Sequence, residues 1–168
     1  MTALSACRRV NRNLEGIVVS KTPKKARAVG INHVVLEVGD IEEALEFYGA
    51  IFDFELRGSG KTNAFIDMGD QFLQLTENKD RAPDQKRHFG FVVDDRRSIP
   101  TALKKLGVPL IGDRLNFSDP WGNRVEVVPY DDIQFTKAGH VLKGMGLDGL
   151  EKTSSAIEQL EKKGIAPG

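Results

Sequence analysis

Cysteine occurs only once in these 168 residues, at Cys7, so no disulfide can close within the chain and no zinc site built on cysteine pairs is available. No apolar run approaches the roughly 18–20 residues needed to cross a bilayer, and the N-terminus lacks the apolar centre of a secretory signal. These absences make the cytoplasm the expected compartment. Neither charge dominates: 24 Lys plus Arg balance 24 Asp plus Glu. Binding to nucleic acid requires a surplus of basic groups to displace counterions, so it is not expected, and neither is a membrane. The GxxxxGK[ST], GxGxxG and GxSxG patterns are also missing, which removes support for nucleotide and acyl-serine chemistry.

What is present suits a globular protein. With 40% hydrophobic and 29% charged residues the chain can bury a core, and its length fits one domain or two small copies of one unit. Residues 1–29 stand apart. Met1 to Gly30 carries Arg8, Arg9, Arg12, Lys21, Lys24, Lys25 and Arg27 against the single acid Glu15, which reads as a basic, flexible arm. The arm is either an organelle transit segment or a tail, the latter including translation from an upstream start.

The remainder repeats itself. A shift of 55 positions lays the segment around His33 on the segment around His88, and a shift of 52 lays Phe65–Leu75 on Phe117–Val127, so that Gln74 meets Glu126. Each copy reads as βαβββ. In the first, a strand over 31–38 is followed by Asp40 with Glu43 three residues on, the pattern of a helix N-terminus. Apolar residues at Ile41, Ala44, Leu45, Tyr48 and Ile51-Phe52 then mark an amphipathic helix of about three turns. Strands at 54–57, 63–68 and 71–77 follow, the last two as a hairpin over Gly69-Asp70. The second copy predicts a strand at 88–93, a helix over 98–106 with Pro100 in its first turn, and strands at 109–111, 114–118 and 124–129. The expected fold class is α+β: two tandem modules, about 30–80 and 86–132, forming a curved mixed sheet, followed by an extension over 133–168 that contains a C-terminal helix.

Alternation along the strands decides where the polar residues face. His33, Val35 and Glu37 share one side of the first strand, opposite Val34, Leu36 and Val38. By the same count His88, Gln74 and Glu126 leave the apolar faces. Two imidazoles, one carboxamide and one carboxylate, brought together by a pseudo-two-fold, would make a nitrogen and oxygen donor set suited to a divalent ion such as Zn, Ni, Co, Mn or Fe. An octahedral ion held by four such ligands keeps two positions for a substrate's paired oxygens or for water, a Lewis-acid arrangement.

The chain resembles the vicinal oxygen chelate superfamily, which contains glyoxalases, bleomycin resistance proteins and dioxygenases. The likeness spans about residues 31–130. It lies in His33-Val34-Val35-Leu36-Glu37-Val38-Gly39-Asp40 with Phe47-Tyr48, in His88-Phe89-Gly90-Phe91-Val92-Val93-Asp94, and in Phe117-Ser118-Asp119-Pro120-Trp121-Gly122-Asn123-Arg124-Val125-Glu126. The resemblance implies one divalent metal ion on His33, Gln74, His88 and Glu126, a small-molecule substrate and often a homodimer. It further implies a lyase, isomerase or epimerase of glyoxalase type that holds an enediolate on the metal, with Glu126 as the base that leaves the ion. Glu37 is a second acid/base candidate, or else a partner of Arg124 or Arg114. The alternatives are an extradiol-dioxygenase-like enzyme with Fe(II) on His33, His88 and Glu126, and a metal-free binding protein of the bleomycin-resistance type. Trp121 replaces the aspartate usual in the last turn and is a residue for stacking on substrate or for packing. His140, in the Gly-rich extension, reads as an exposed loop residue or a cap on the site.

Overall fold

In the computed structural model, residue 26 and residues 31–166 are described; the basic arm and Cys7 lie outside these residues. The strand β1 (His33–Val38) leads directly into α1 (Ile41–Gly49), and the junction is capped as expected: the Asp40 carboxylate accepts from the Glu43 amide at 3.0 Å. There follow β2 (Leu56–Ser59), β3 (Asn63–Met68) and β4 (Gln71–Glu77), the last two joined through Gly69, whose φ of +83° is a backbone state open to glycine. The strand order is β1-β4-β3-β2, with β1 parallel to β4 and the other pairs antiparallel.

The second module repeats this wiring with one strand fewer. It runs β5 (Phe89–Val93), α2 (Ile99–Lys105), β6 (Asn116–Ser118) and β7 (Arg124–Pro129) in the order β5-β7-β6, again with the first and last strands parallel. The strand expected at 109–111 does not form. Pro109 has no amide proton to offer, and Gly112, at φ +71°, turns the chain at once, leaving the Ile111 amide on the Asn116 carbonyl at 2.8 Å as the trace of a ladder. The strand expected at 114–118 is likewise trimmed to 116–118.

Both sheets give their apolar faces to one core. Val38, Ala44, Leu75, Phe117 and Val125 are fully buried there. The helix α1 serves both modules: Phe47 meets Phe117 with ring centres 6.2 Å apart, and Tyr48 meets Phe91 at 6.3 Å. The opposite faces, carrying the polar residues singled out above, turn away from this core. Below the core side, a buried polar network ties the modules together. Tyr48 donates to Asp119 at 2.9 Å, and the Asn123 amide donates both to Asp119 at 2.6 Å and to the Glu37 carbonyl at 2.9 Å. Burial, the Asp119 charge and that hydrogen bond push the Tyr48 hydroxyl well above its ordinary pKa.

The extension is more structured than a single tail helix. After a 3-10 turn at Tyr130–Asp132 come α3 (Gly139–Gly144) and α4 (Ser154–Glu161), the latter capped by Thr153 and followed by Gly164 at φ +68°. Ala156 and Leu160 of α4 are fully buried. Val141 and Met145 lie against Gly69 so closely that a side chain there would collide with them. The ammonium of Lys152 fastens the start of the extension by donating to the carbonyls of Tyr130, Ile133 and Phe135.

Candidate metal centre

The first sheet carries half of the expected donors. His33 opens β1, and its direct neighbour on β4 is Phe72, on which its ring stacks at 4.7 Å with 10° between the planes. Gln74 lies two residues further along β4, opposite Val35, and its amide nitrogen donates to Thr76 at 3.0 Å, which leaves the amide oxygen as its donor atom for an ion. His33 is exposed and Gln74 half-buried. Glu37 is exposed on the same strand, and among the described residues its carboxylate has no ion pair. Its expected partners are engaged elsewhere: Arg114 with Glu126, and Arg124 with the Gln85 carbonyl at 2.9 Å.

The second sheet carries the other half, already assembled. His88 stands immediately before β5 and Glu126 in the middle of β7, the strand paired with it. The imidazole Nε2 is 3.8 Å from one carboxylate oxygen of Glu126, and the Arg114 guanidinium is 3.3 Å from the other. Gly90 is the residue directly opposite Glu126, so no side chain from β5 covers the carboxylate. The Glu126 side chain is 18% exposed and that of His88 51%, so the pair opens toward solvent.

These two halves do not meet within one chain. Among the described residues no group of three or more His, Cys, Asp or Glu side chains is placed to share an ion. The physical reason is the common core. Each sheet spends its apolar face on α1 and its neighbours, and the donor faces are turned outward on separate sheets. His140 lies in the first turn of α3 and is exposed. Trp121 is a packing residue: its indole covers Gly39 at the end of β1, where even a Cβ would stand 2.4 Å from Nε1.

Several residues that shape the site were not singled out from the sequence. Phe72 supports His33, and Arg57 lies 5.0 Å above the Phe72 ring while donating to Asp67 at 2.7 Å. Alternation places Phe72 beside Gln74, which was the available signal. Arg57 reaches from β2 across β3, and that contact depends on strand order. The donor set fits a divalent ion in its chemistry: imidazole nitrogens, a carboxylate and an amide oxygen, without thiolate.

Comparison with known proteins agrees with the architecture. Residues 30–127 match the Glyoxalase/Bleomycin resistance protein/Dioxygenase superfamily, and the chain belongs to that family. It is similar to the metallothiol transferase FosB of Bacillus licheniformis, with 29% identity over 117 residues, 60% of this chain and 75% of that protein. Among solved structures, a glyoxalase family protein from Bacillus anthracis shares 27% identity at a TM-score of 0.54, over 63% of this chain and 98% of the other. A fosfomycin resistance protein, FosX of Listeria monocytogenes, solved with Mn(II) and dihydroxypropylphosphonic acid, shares the fold at 20% identity and a TM-score of 0.53, over 60% and 90% of the two chains. No helix among the described residues is long and apolar enough to cross a membrane.

Proposed function

We propose that the protein is a metal-dependent enzyme acting on a small molecule through two neighbouring oxygens, at a centre completed by two copies of the chain. The observation that carries this reading is the His88–Glu126 pair, an imidazole nitrogen 3.8 Å from a carboxylate oxygen on paired strands, open on the side away from the core. Two ligands hold an ion weakly. A third, His33, is exposed on the equivalent face of the other sheet, with Val35 47% and Leu56 41% exposed on the same module. A homodimer in which one copy's first module faces the other's second module would cover that apolar surface and add His33 and Gln74 to His88 and Glu126.

The bound ion would act as a Lewis acid on the substrate oxygens. The chain's own contribution is acid/base and positional. Glu126, oriented by Arg114, is the carboxylate placed to take a proton next to a carbonyl, and Glu37 is a second acid/base group on the face that carries His33. Gln74 offers an oxygen donor that cannot take up a proton. A Gln or carboxylate in this place favours isomerising or epimerising chemistry of glyoxalase type. A second reading, transfer of a thiol to a small electrophile, is favoured by the similarity to metallothiol transferase FosB. It requires only His33, His88 and Glu126 as ligands.

Elemental analysis of the untagged protein and subunit mixing test the centre. We expect about one divalent ion per chain, lost in His33→Ala and in Glu126→Ala. Mixing those two variants after mild dissociation should restore ion binding, because a mixed dimer keeps one intact site. No uptake of Zn, Ni, Co, Mn or Fe by the wild type would overturn the reading, and loss of metal without rescue on mixing would place the site within one chain. Assay of the loaded protein with hemithioacetals, acyl-CoA epimers, and an epoxide with a thiol then separates the two reactions. Iron as the resident ion would favour the dioxygenase-like alternative.

A further inference from the structure

Both histidines of the centre engage the same ring nitrogen with a neighbouring oxygen. The Nδ1 of His33 lies 3.0 Å from the side-chain oxygen of Asn32, and the Nδ1 of His88 lies 3.4 Å from the main-chain carbonyl of Lys86. Each of these oxygens can only accept, so each contact is a hydrogen bond only when Nδ1 carries the proton, and the neutral ring in that tautomer has its lone pair on Nε2. A neutral histidine in water prefers the opposite tautomer, in which Nε2 is blocked. The carbonyl at His88 is part of the main chain, whereas the acceptor at His33 is a side chain that the sequence could have varied.

Asn32 is placed for this by standing just before the strand. A neighbour within β1 would point to the opposite face, but Asn32 precedes the first paired residue, and its own carbonyl is fastened to β4 by the Phe72 amide at 3.2 Å. The imidazole is held from its flat side as well. Strand order sets β1 on one side of β4 and β2 on the other, so Phe72 is flanked by His33 and by Arg57, whose guanidinium is tied to Asp67 and to the Gln71 carbonyl. The Phe72 stack thus sets the ring plane, and the Asn32 oxygen favours the tautomer with the proton on Nδ1.

We propose that Asn32 is a positioning residue for the metal centre: its side-chain oxygen, together with the Phe72 ring, holds His33 as the Nδ1–H tautomer with Nε2 free to bind an ion. The inference rests on the reading of His33 as a ligand. Outer partners of this kind typically change metal affinity about 10–100-fold when removed. An aspartate in the same place retains the acceptor, whereas alanine removes it.

The test uses the full chain in wild-type, Asn32→Ala and Asn32→Asp forms, with Zn(II) alone as the probe. Long-range proton–nitrogen spectra of the metal-free protein at about pH 8, where imidazole is neutral, report the His33 tautomer, its signals being assigned by their loss in His33→Gln. The wild type and Asn32→Asp should show the proton on Nδ1, and Asn32→Ala should shift it toward Nε2. Calorimetric titration should find Zn(II) binding about 10–100-fold weaker in Asn32→Ala and restored to within a few-fold in Asn32→Asp. Unchanged tautomer and affinity in Asn32→Ala, or an Asn32→Asp variant as weak as Asn32→Ala, would overturn the role of Asn32 and leave the metal centre standing. A wild type that takes up neither Zn(II) nor Ni, Co, Mn or Fe would overturn both.

Discussion

The Asn123 side chain donates to the main-chain carbonyl of Glu37 at 2.9 Å, joining the end of β1 to the turn before β7 across 86 positions of sequence. The same amide reaches Asp119 at 2.6 Å, and Asn123 is only 2% exposed. The first strand of one module and the last strand of the other are thereby held in fixed relation, and those strands carry His33 and Glu126.

Removing that amide should be costly. In Asn123→Ala the Glu37 carbonyl keeps only its long bond from Arg81, at 3.2 Å, and the buried Asp119 carboxylate loses a donor. Each under-satisfied buried group costs about 1–3 kcal/mol, so a loss of roughly 2–4 kcal/mol is expected. Urea denaturation should show a lower midpoint with an unchanged slope; a midpoint within error of wild type would show that the bond contributes nothing net.

Gly39→Ala tests the packing of the sole tryptophan. A Cβ at Gly39 would stand 2.4 Å from the Trp121 Nε1 and 2.7 Å from Cδ1, and the rigid indole must swing away. Overpacking of this kind costs about 1–3 kcal/mol. Because the chain has one tryptophan, its fluorescence reads this site alone, and a red-shifted emission is expected with the loss of stability.

The docking of the extension onto the first module should weaken in acid. The Lys137 ammonium, by its hydrogen bond above all, holds the Asp70 carboxyl below its ordinary pKa. At Asp67 partial burial pulls upward, but the Gly69 amide and Arg57 outweigh it and the net shift is also downward. Carboxyls depressed in the folded state add stability above their unfolded pKa of about 4, and that contribution is lost as pH falls through the lower folded values. Amide exchange in α3 should therefore accelerate relative to β4 below about pH 4, and Asp70→Asn should show the faster exchange already at neutral pH. Equal exchange in that variant and the wild type would remove Asp70 from the docking.

Much of the fold could be read in one dimension. The internal repeat and the alternation at Val34, Leu36 and Val38 located β1, and the Asp40–Glu43 pair located the start of α1, because capping and side-chain parity are local. The lost strand at 109–111 was harder, since a marginal strand exists only if a neighbour supplies a full ladder and Pro109 withholds one donor. Whether Trp121 packs or stacks on substrate was not legible, because Gly39, which its indole covers, lies in the other module.

The sequence by itself determined that His33, Gln74, His88 and Glu126 leave the apolar faces, since alternation along a strand follows from backbone geometry alone. Only the tertiary structure decided which of them meet. Register between β5 and β7 brings His88 to Glu126, while the choice of both modules to bury their apolar faces around α1 keeps His33 and Gln74 on another sheet. That choice reflects the free energy of sharing one core, a sum over residues far apart in the chain that no local pattern contains.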